Sequence, residues 1–134
     1  MKTTFDTDSI LFQLLDGKTD INGGVYLRDE RPEDSHMEDI VINTIDLTQN
    51  THPQIGTSNV NIYVADTSKR INGKMQVSAN AVRLKQLTED VLSVIRSEII
   101  PGLTITPGNM IIMYDQTVKQ HFANIRIDWN IQID

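Results

Sequence analysis

From Ala123 onward the residues alternate without interruption: Ala123, Ile125, Ile127, Trp129, Ile131 and Ile133 on one side, Asn124, Arg126, Asp128, Asn130 and Gln132 on the other. Successive side chains of a strand point to opposite faces, so this segment is a strand with one wholly apolar face. That face must be covered by another layer, while the polar face meets water or a partner, as in antiparallel sheets. The chain therefore has to supply a cover.

The cover is legible upstream. From Val77 to Ile99 the residues Ala81, Leu84, Leu87, Val91, Val94, Ile95 and Ile99 recur at helical spacings, with Arg83, Lys85, Gln86, Glu89, Asp90, Ser93, Arg96 and Ser97 opposite them. This is an amphipathic helix. Ser78 is its expected N-cap, and Ile100-Pro101-Gly102 stops it. A shorter helix of about ten residues is expected over Thr7 to Asp16 from Ile10, Leu11, Leu14 and Leu15, with Asp6 or Thr7 as cap and Gly17 as the left-handed stop.

Strand signals fill the remainder. Val25-Tyr26-Leu27-Arg28 follows the Asn22-Gly23-Gly24 turn, and Ile40 to Leu47 is rich in β-branched residues. Val60 to Val64 alternates cleanly and is expected to form a long hairpin with Ile40–Leu47, closed by an extended polar tip from Thr48 to Thr57. Leu103–Thr106 and Met110–Tyr114 read as two short strands about a Pro107-Gly108 turn. The expected fold is a single α+β domain over residues 1–134: a mostly antiparallel sheet with one long and one short helix packed on one face.

Composition limits what such a domain can do. With 134 residues, folding buries roughly two-thirds of the unfolded surface, so a core needs no staple. The absence of cysteine removes disulfides, thiolate metal sites and thiol nucleophiles, and fits a reducing compartment. No apolar stretch approaches the ~20 residues of a membrane span, and the first residues have the wrong polarity for a signal peptide. A formal net charge of −6 argues against a nucleic-acid coat built on clustered Lys and Arg.

Catalytic patterns are incomplete. Gly17-Lys18-Thr19 ends like a phosphate-binding loop, but Phe12 stands where the first glycine belongs, and the fragment follows a helix instead of a strand. His36, His52 and His121 have no metal-ligand spacing. Asp16-Gly17-Lys18 has the order of a nuclease carboxylate-x-lysine, yet terminates a helix with no second acid beside it; Asp66-Thr67-Ser68 lacks the glycine of an aspartic protease. The expectation is a protein that is not an enzyme, with no metal and no cofactor. Two loops remain: the densely acidic Asp29–Asp39, with Arg31, Glu33 and Asp34, and the hairpin tip, with His52, Gln54 and Ile55. Solvated connections are their ordinary reading; interface or lumen loops of an assembly are the sharper one.

The succession of elements carries more. A short helix at Ser9–Leu15 leads to Val25-Tyr26. The charged Arg31-Pro32-Glu33 loop precedes Ile40-Val41-Ile42-Asn43, and Val60-Asn61-Ile62-Tyr63-Val64 feeds a long helix at Ala79–Ile99. An alternating strand with an aromatic, Ile125-Arg126-Ile127-Asp128-Trp129, closes the order. This resembles the tail terminator, or tail completion, proteins of long-tailed bacteriophages across nearly the whole chain, as a pattern of element order and hydrophobicity. The run from Ile105 to Gln120 is longer than the family pattern.

The resemblance implies a structural subunit of the virion neck, assembled in the host cytoplasm into a ring, a hexamer, on the tail tube. Its implied partners are copies of itself, the tail tube protein and the head-tail connector protein. DNA would pass through without specific binding, and the acidic loop would repel its phosphates. Alternatives are another head-tail connector or neck protein and, further off, a small metal-dependent enzyme such as a nuclease, or a cytoplasmic binding domain.

Overall fold

The computed structural model describes residues 1–133. Nine elements follow in order: α1 (Thr4–Leu15), β1 (Val25–Leu27), β2 (Asp39–Leu47), β3 (Gln54–Val64), β4 (Thr67–Ile71), β5 (Lys74–Ser78), α2 (Ala81–Ser97), β6 (Leu103–Asp115) and β7 (Gln120–Ile131). The architecture is α+β with a mostly antiparallel sheet, as the sequence pattern requires.

Five strands form the main sheet in the order β1-β2-β3-β7-β6, with only β1 and β2 parallel. β3 and β7 are its spine, paired without a break from Gln54 opposite Ile131 to Val64 opposite His121. One face is apolar: Ile40 and Ile42, Val60 and Ile62, and Ile125, Ile127 and Ile131 are all fully buried beneath the helices. From α1 come Leu11 and Leu15, and from α2 Leu84, Leu87, Val91 and Ile95, closing one continuous core. Each such side chain removed from water contributes roughly 1.5–3 kcal/mol. The opposite face of the spine carries Asn59, Asn61, Asn124, Arg126 and Asp128 and has no helix over it.

The structure corrects several boundaries. α1 starts earlier, capped by Thr3 in a reciprocal box with Asp6, whose carboxylate accepts from the Thr3 amide at 2.7 Å. That hydrogen bond holds the Asp6 carboxyl below its ordinary range. Thr7 is therefore not a cap but a buried residue of the helix. α2 starts later: Asn80, not Ser78, is its N-cap, accepting from the Arg83 amide at 3.2 Å, and Ile99 lies past its end, exposed. The extended tip shortens, because Gln54 to Thr57 belong to β3.

The two short strands expected at 103–114 are one strand. β6 runs through Pro107 with a bulge: Pro107 pairs with Ile127 and Met110 with Ile125, so three steps on β6 match two on β7. Proline is tolerated there because β6 is an edge strand with no ladder on its outer side.

Candidate assembly surfaces

The acidic loop between β1 and β2 is pinned at both ends. Arg31 Nε donates to Asp39 Oδ2 at 2.8 Å and Nη2 donates to Gln120 Oε1 at 2.9 Å, while the guanidinium lies 4.1 Å from the Tyr63 ring centroid. Asp39 is fully buried and its charge is met on every side, by Arg31, by the Ser35 hydroxyl at 2.6 Å and by the Gly24 amide at 2.9 Å. Burial, reinforced by the neighbouring Asp115 carboxylate, pushes the Tyr63 phenol up to about 12. Glu38, one residue before, accepts two hydrogen bonds from Arg83 of α2, which hold its carboxyl below the ordinary glutamate range.

This placement divides the residues singled out from the sequence. Arg31 turns inward as the anchor of its loop, whereas Glu33 and Asp34 are exposed, together with Asp29 and Glu30. At the other end of the sheet Gln54 is also internal: its amide donates to the Lys2 and Thr48 carbonyls at 2.9 and 2.8 Å, and its carbonyl accepts from the Lys2 amide. His52 and Ile55 are exposed, Ile55 to 57%. The outward-facing remainder thus forms two separate groups, an acidic one between β1 and β2 and the pair His52 and Ile55 at the β2–β3 tip.

A buried polar chain explains the small residues of the spine. Trp129 Nε1 donates to Ser58 Oγ at 2.8 Å, Ser58 and Thr44 hydroxyls share a 2.7 Å hydrogen bond, and Thr44 Oγ1 donates to Asp8 Oδ1 at 2.6 Å. Asp8 in turn pairs with Arg28 at 2.8 Å. Each of these linked side chains, from Trp129 to Arg28, has its partner, as buried groups require. His121 Nδ1 lies 2.8 Å from Asp66 Oδ1 and the ring is tilted against Tyr114, which ties the exit of β3 to the start of β7.

A run of five consecutive exposed apolar residues lies where no site residue was expected. β6 is the free edge of the sheet, and Met110 to Tyr114 are all exposed, Ile111 to 56%. Ile112 and Met110 pair with the core-facing Ala123 and Ile125, so they look toward α2; Ile111 and Met113 look the other way. β4 and β5 form a second, two-stranded sheet separate from the main one. Its turn is Asn72-Gly73 with φ of 52° and 80°, both left-handed, as a two-residue type I′ hairpin needs. Of its ten strand residues all but Thr67 and Ser78 are exposed.

Among the described residues no group of three or more Asp, Glu or His is placed to hold a metal ion. Among the described residues no helix is long and apolar enough to cross a membrane. Searches against protein-family models and against curated proteins find no match for this chain.

Proposed function

We propose that this protein is a ring-forming structural subunit of the tail terminator class, capping a phage tail tube and joining it to the capsid. The observation that carries the reading is the pairing of an unsatisfied apolar sheet edge, Met110 to Tyr114 of β6, with a hairpin that projects away from its own core. An unblocked apolar edge invites another chain. Two different surfaces on one subunit make a heterologous, head-to-tail contact, and such contacts close into rings when the rotation permits.

The acidic balance has a use in that setting. Asp29, Glu30, Glu33 and Asp34 are exposed and free to line a passage through which DNA slides without sticking. The partners in this reading are other copies, the tail tube protein and the head-tail connector, with the mature location in the virion neck.

Light scattering during size exclusion, followed by electron microscopy, tests the reading. Rings of one stoichiometry, and overlong or unjoined tails when the gene is disrupted in its phage, are expected. A protein that forms no ring alone or on purified tail tubes overturns it.

A further inference from the structure

We infer that the β4–β5 hairpin of one copy seats in the groove between α2 and β6 of the next, an inference that rests on the ring reading and supplies its contact. The groove holds about 500 Å³ and is bounded by Leu84, Thr88 and Leu92 of α2 and by Met110 and Ile112 of β6, with Lys85 and Glu89 at its rim. Past the bulge at Pro107 to Met110 the residues of β6 are exposed on both faces, and the groove is open there.

The occupant is identified by the hairpin's own chemistry. A two-stranded hairpin is marginal in water unless a third element packs on it. Pairing places Arg70 opposite Met75 and Ser68 opposite Val77, so Met75 and Val77 share one face with Arg70, and these two apolar residues are 59% and 71% exposed. The hairpin carries Lys69, Arg70 and Lys74 and no acidic residue, in a chain whose formal net charge is −6. A basic, apolar-faced arm on an acidic body finds its electrostatic complement on a second copy of that body. Met75 and Val77 fill the groove against Leu92 and Ile112, and Arg70 lies over Glu89 at the rim.

The absence of cysteine makes the test clean. Full-length Met75→Cys, carrying a cleavable tag, is mixed with untagged Ile112→Cys and oxidised; a disulfide needs the two Cα atoms within about 7 Å. The expected result is a tagged-untagged dimer at least tenfold more abundant than in a control mixture of Met75→Cys with Ile55→Cys. A Met75→Glu/Val77→Glu variant is expected to keep the wild-type unfolding midpoint and to weaken self-association at least tenfold.

Equal crosslinking in the two mixtures overturns the docking even if the wild type forms rings, and leaves the ring reading standing on other contacts. A Met75→Cys/Ile112→Cys double variant that closes within one chain at high dilution also overturns it, by placing the hairpin in its own groove. A wild type that stays monomeric up to about 1 mM overturns the docking as well. The ring reading is then decided separately, by rings at the ends of tail tubes.

Discussion

Arg83 grips Glu38 with both arms of its guanidinium, Nε to Oε2 at 2.6 Å and Nη2 to Oε1 at 2.8 Å. The pair ties the first turn of α2 to the loop that enters β2, and a further bond from Arg83 Nη2 to the Asp20 carbonyl at 2.6 Å brings in the connection after α1. Three segments distant in sequence are held by one side chain. Because the Glu38 carboxyl is stabilised in its charged form, its folded pKa lies below the ordinary 4.5. Its contribution to stability is complete above that ordinary value and is lost as pH falls through the folded one. Urea midpoints measured from pH 6 to pH 3 are expected to fall less steeply in Glu38→Gln than in the wild type. Arg83→Lys, which cannot reproduce the fork, is expected to cost about 1 kcal/mol at pH 7.

Ser58 joins a donor to an acceptor. It accepts from the Trp129 indole and donates to the Thr44 hydroxyl, whose own proton goes to Asp8, and all of these residues are buried. Ser58→Ala strands the indole N–H in the core, and an unsatisfied buried donor costs about 1–3 kcal/mol. Trp129 is the only tryptophan, so its emission reports the site directly. Chemical unfolding followed by that emission is expected to show a midpoint lowered accordingly with an unchanged slope; an unchanged midpoint would show that the chain of hydroxyls is dispensable.

The difference between what the sequence displays and what it conceals follows from periodicity. Ile125 to Ile131 and Leu84 to Ile95 announce their elements because each buries one face, and burial writes a period of 2 or 3.6 into the chain. The β4–β5 hairpin buries neither face, so no period marks it. Its one local signal is Asn72-Gly73, the dipeptide that accepts two left-handed residues in succession. The first half of β3 is hidden for a different reason: two of its buried residues are not large and apolar, Gly56 because a Cβ would fall on the Asp46 carbonyl and Leu47, and Ser58 because it takes the Trp129 indole hydrogen bond. Of the site, the exposed acids and His52 were legible as loop residues, whereas Ile55, though exposed, belongs to β3. Arg31 and Gln54 were not legible as internal anchors, since their partners lie at Asp39 and Gln120, and at Lys2 and Thr48.

Gly23 holds the acidic loop's base closed by having no side chain. A Cβ there would fall on the Asp39 carboxylate and the Glu38 carbonyl, with Met37 Cβ 2.9 Å away. Because Asp39 is bound to Arg31 and to the Gly24 amide, it cannot move aside without breaking that buried ion pair. Gly23→Ala is expected to destabilise the protein by about 1–3 kcal/mol, the range for forced overpacking. Differential scanning calorimetry checks it, and a variant as stable as the wild type would mean the loop base is looser than its contacts suggest.

If the exposed acids line a DNA passage, neutralising them changes sliding and not folding. Asp29, Glu30, Glu33 and Asp34 are all exposed, so replacing the four together with Asn or Gln is expected to shift stability by only about 0.5 kcal/mol per site or less. The assembled ring is expected to retain duplex DNA in a filter assay at low salt and release it as salt rises, whereas the wild-type ring retains none. Equal retention by both rings would place these carboxylates on the outer wall.

The free edge of β6 gives the last expectation. Ile111 and Met113 sit on the face away from α2, opposite Asn124 and Phe122, and neither contributes to the core. Lysine at such positions is a common block to strand pairing, since its charge must stay in water while an incoming strand would cover it. Ile111→Lys/Met113→Lys leaves Met110 and Ile112, and hence the groove beside α2, untouched. If subunits meet along this edge, the double variant is expected to unfold at the wild-type temperature yet elute as a monomer where the wild type assembles. If instead assembly persists, the edge is not covered in the ring, and the contact between copies must be carried by the hairpin and groove alone.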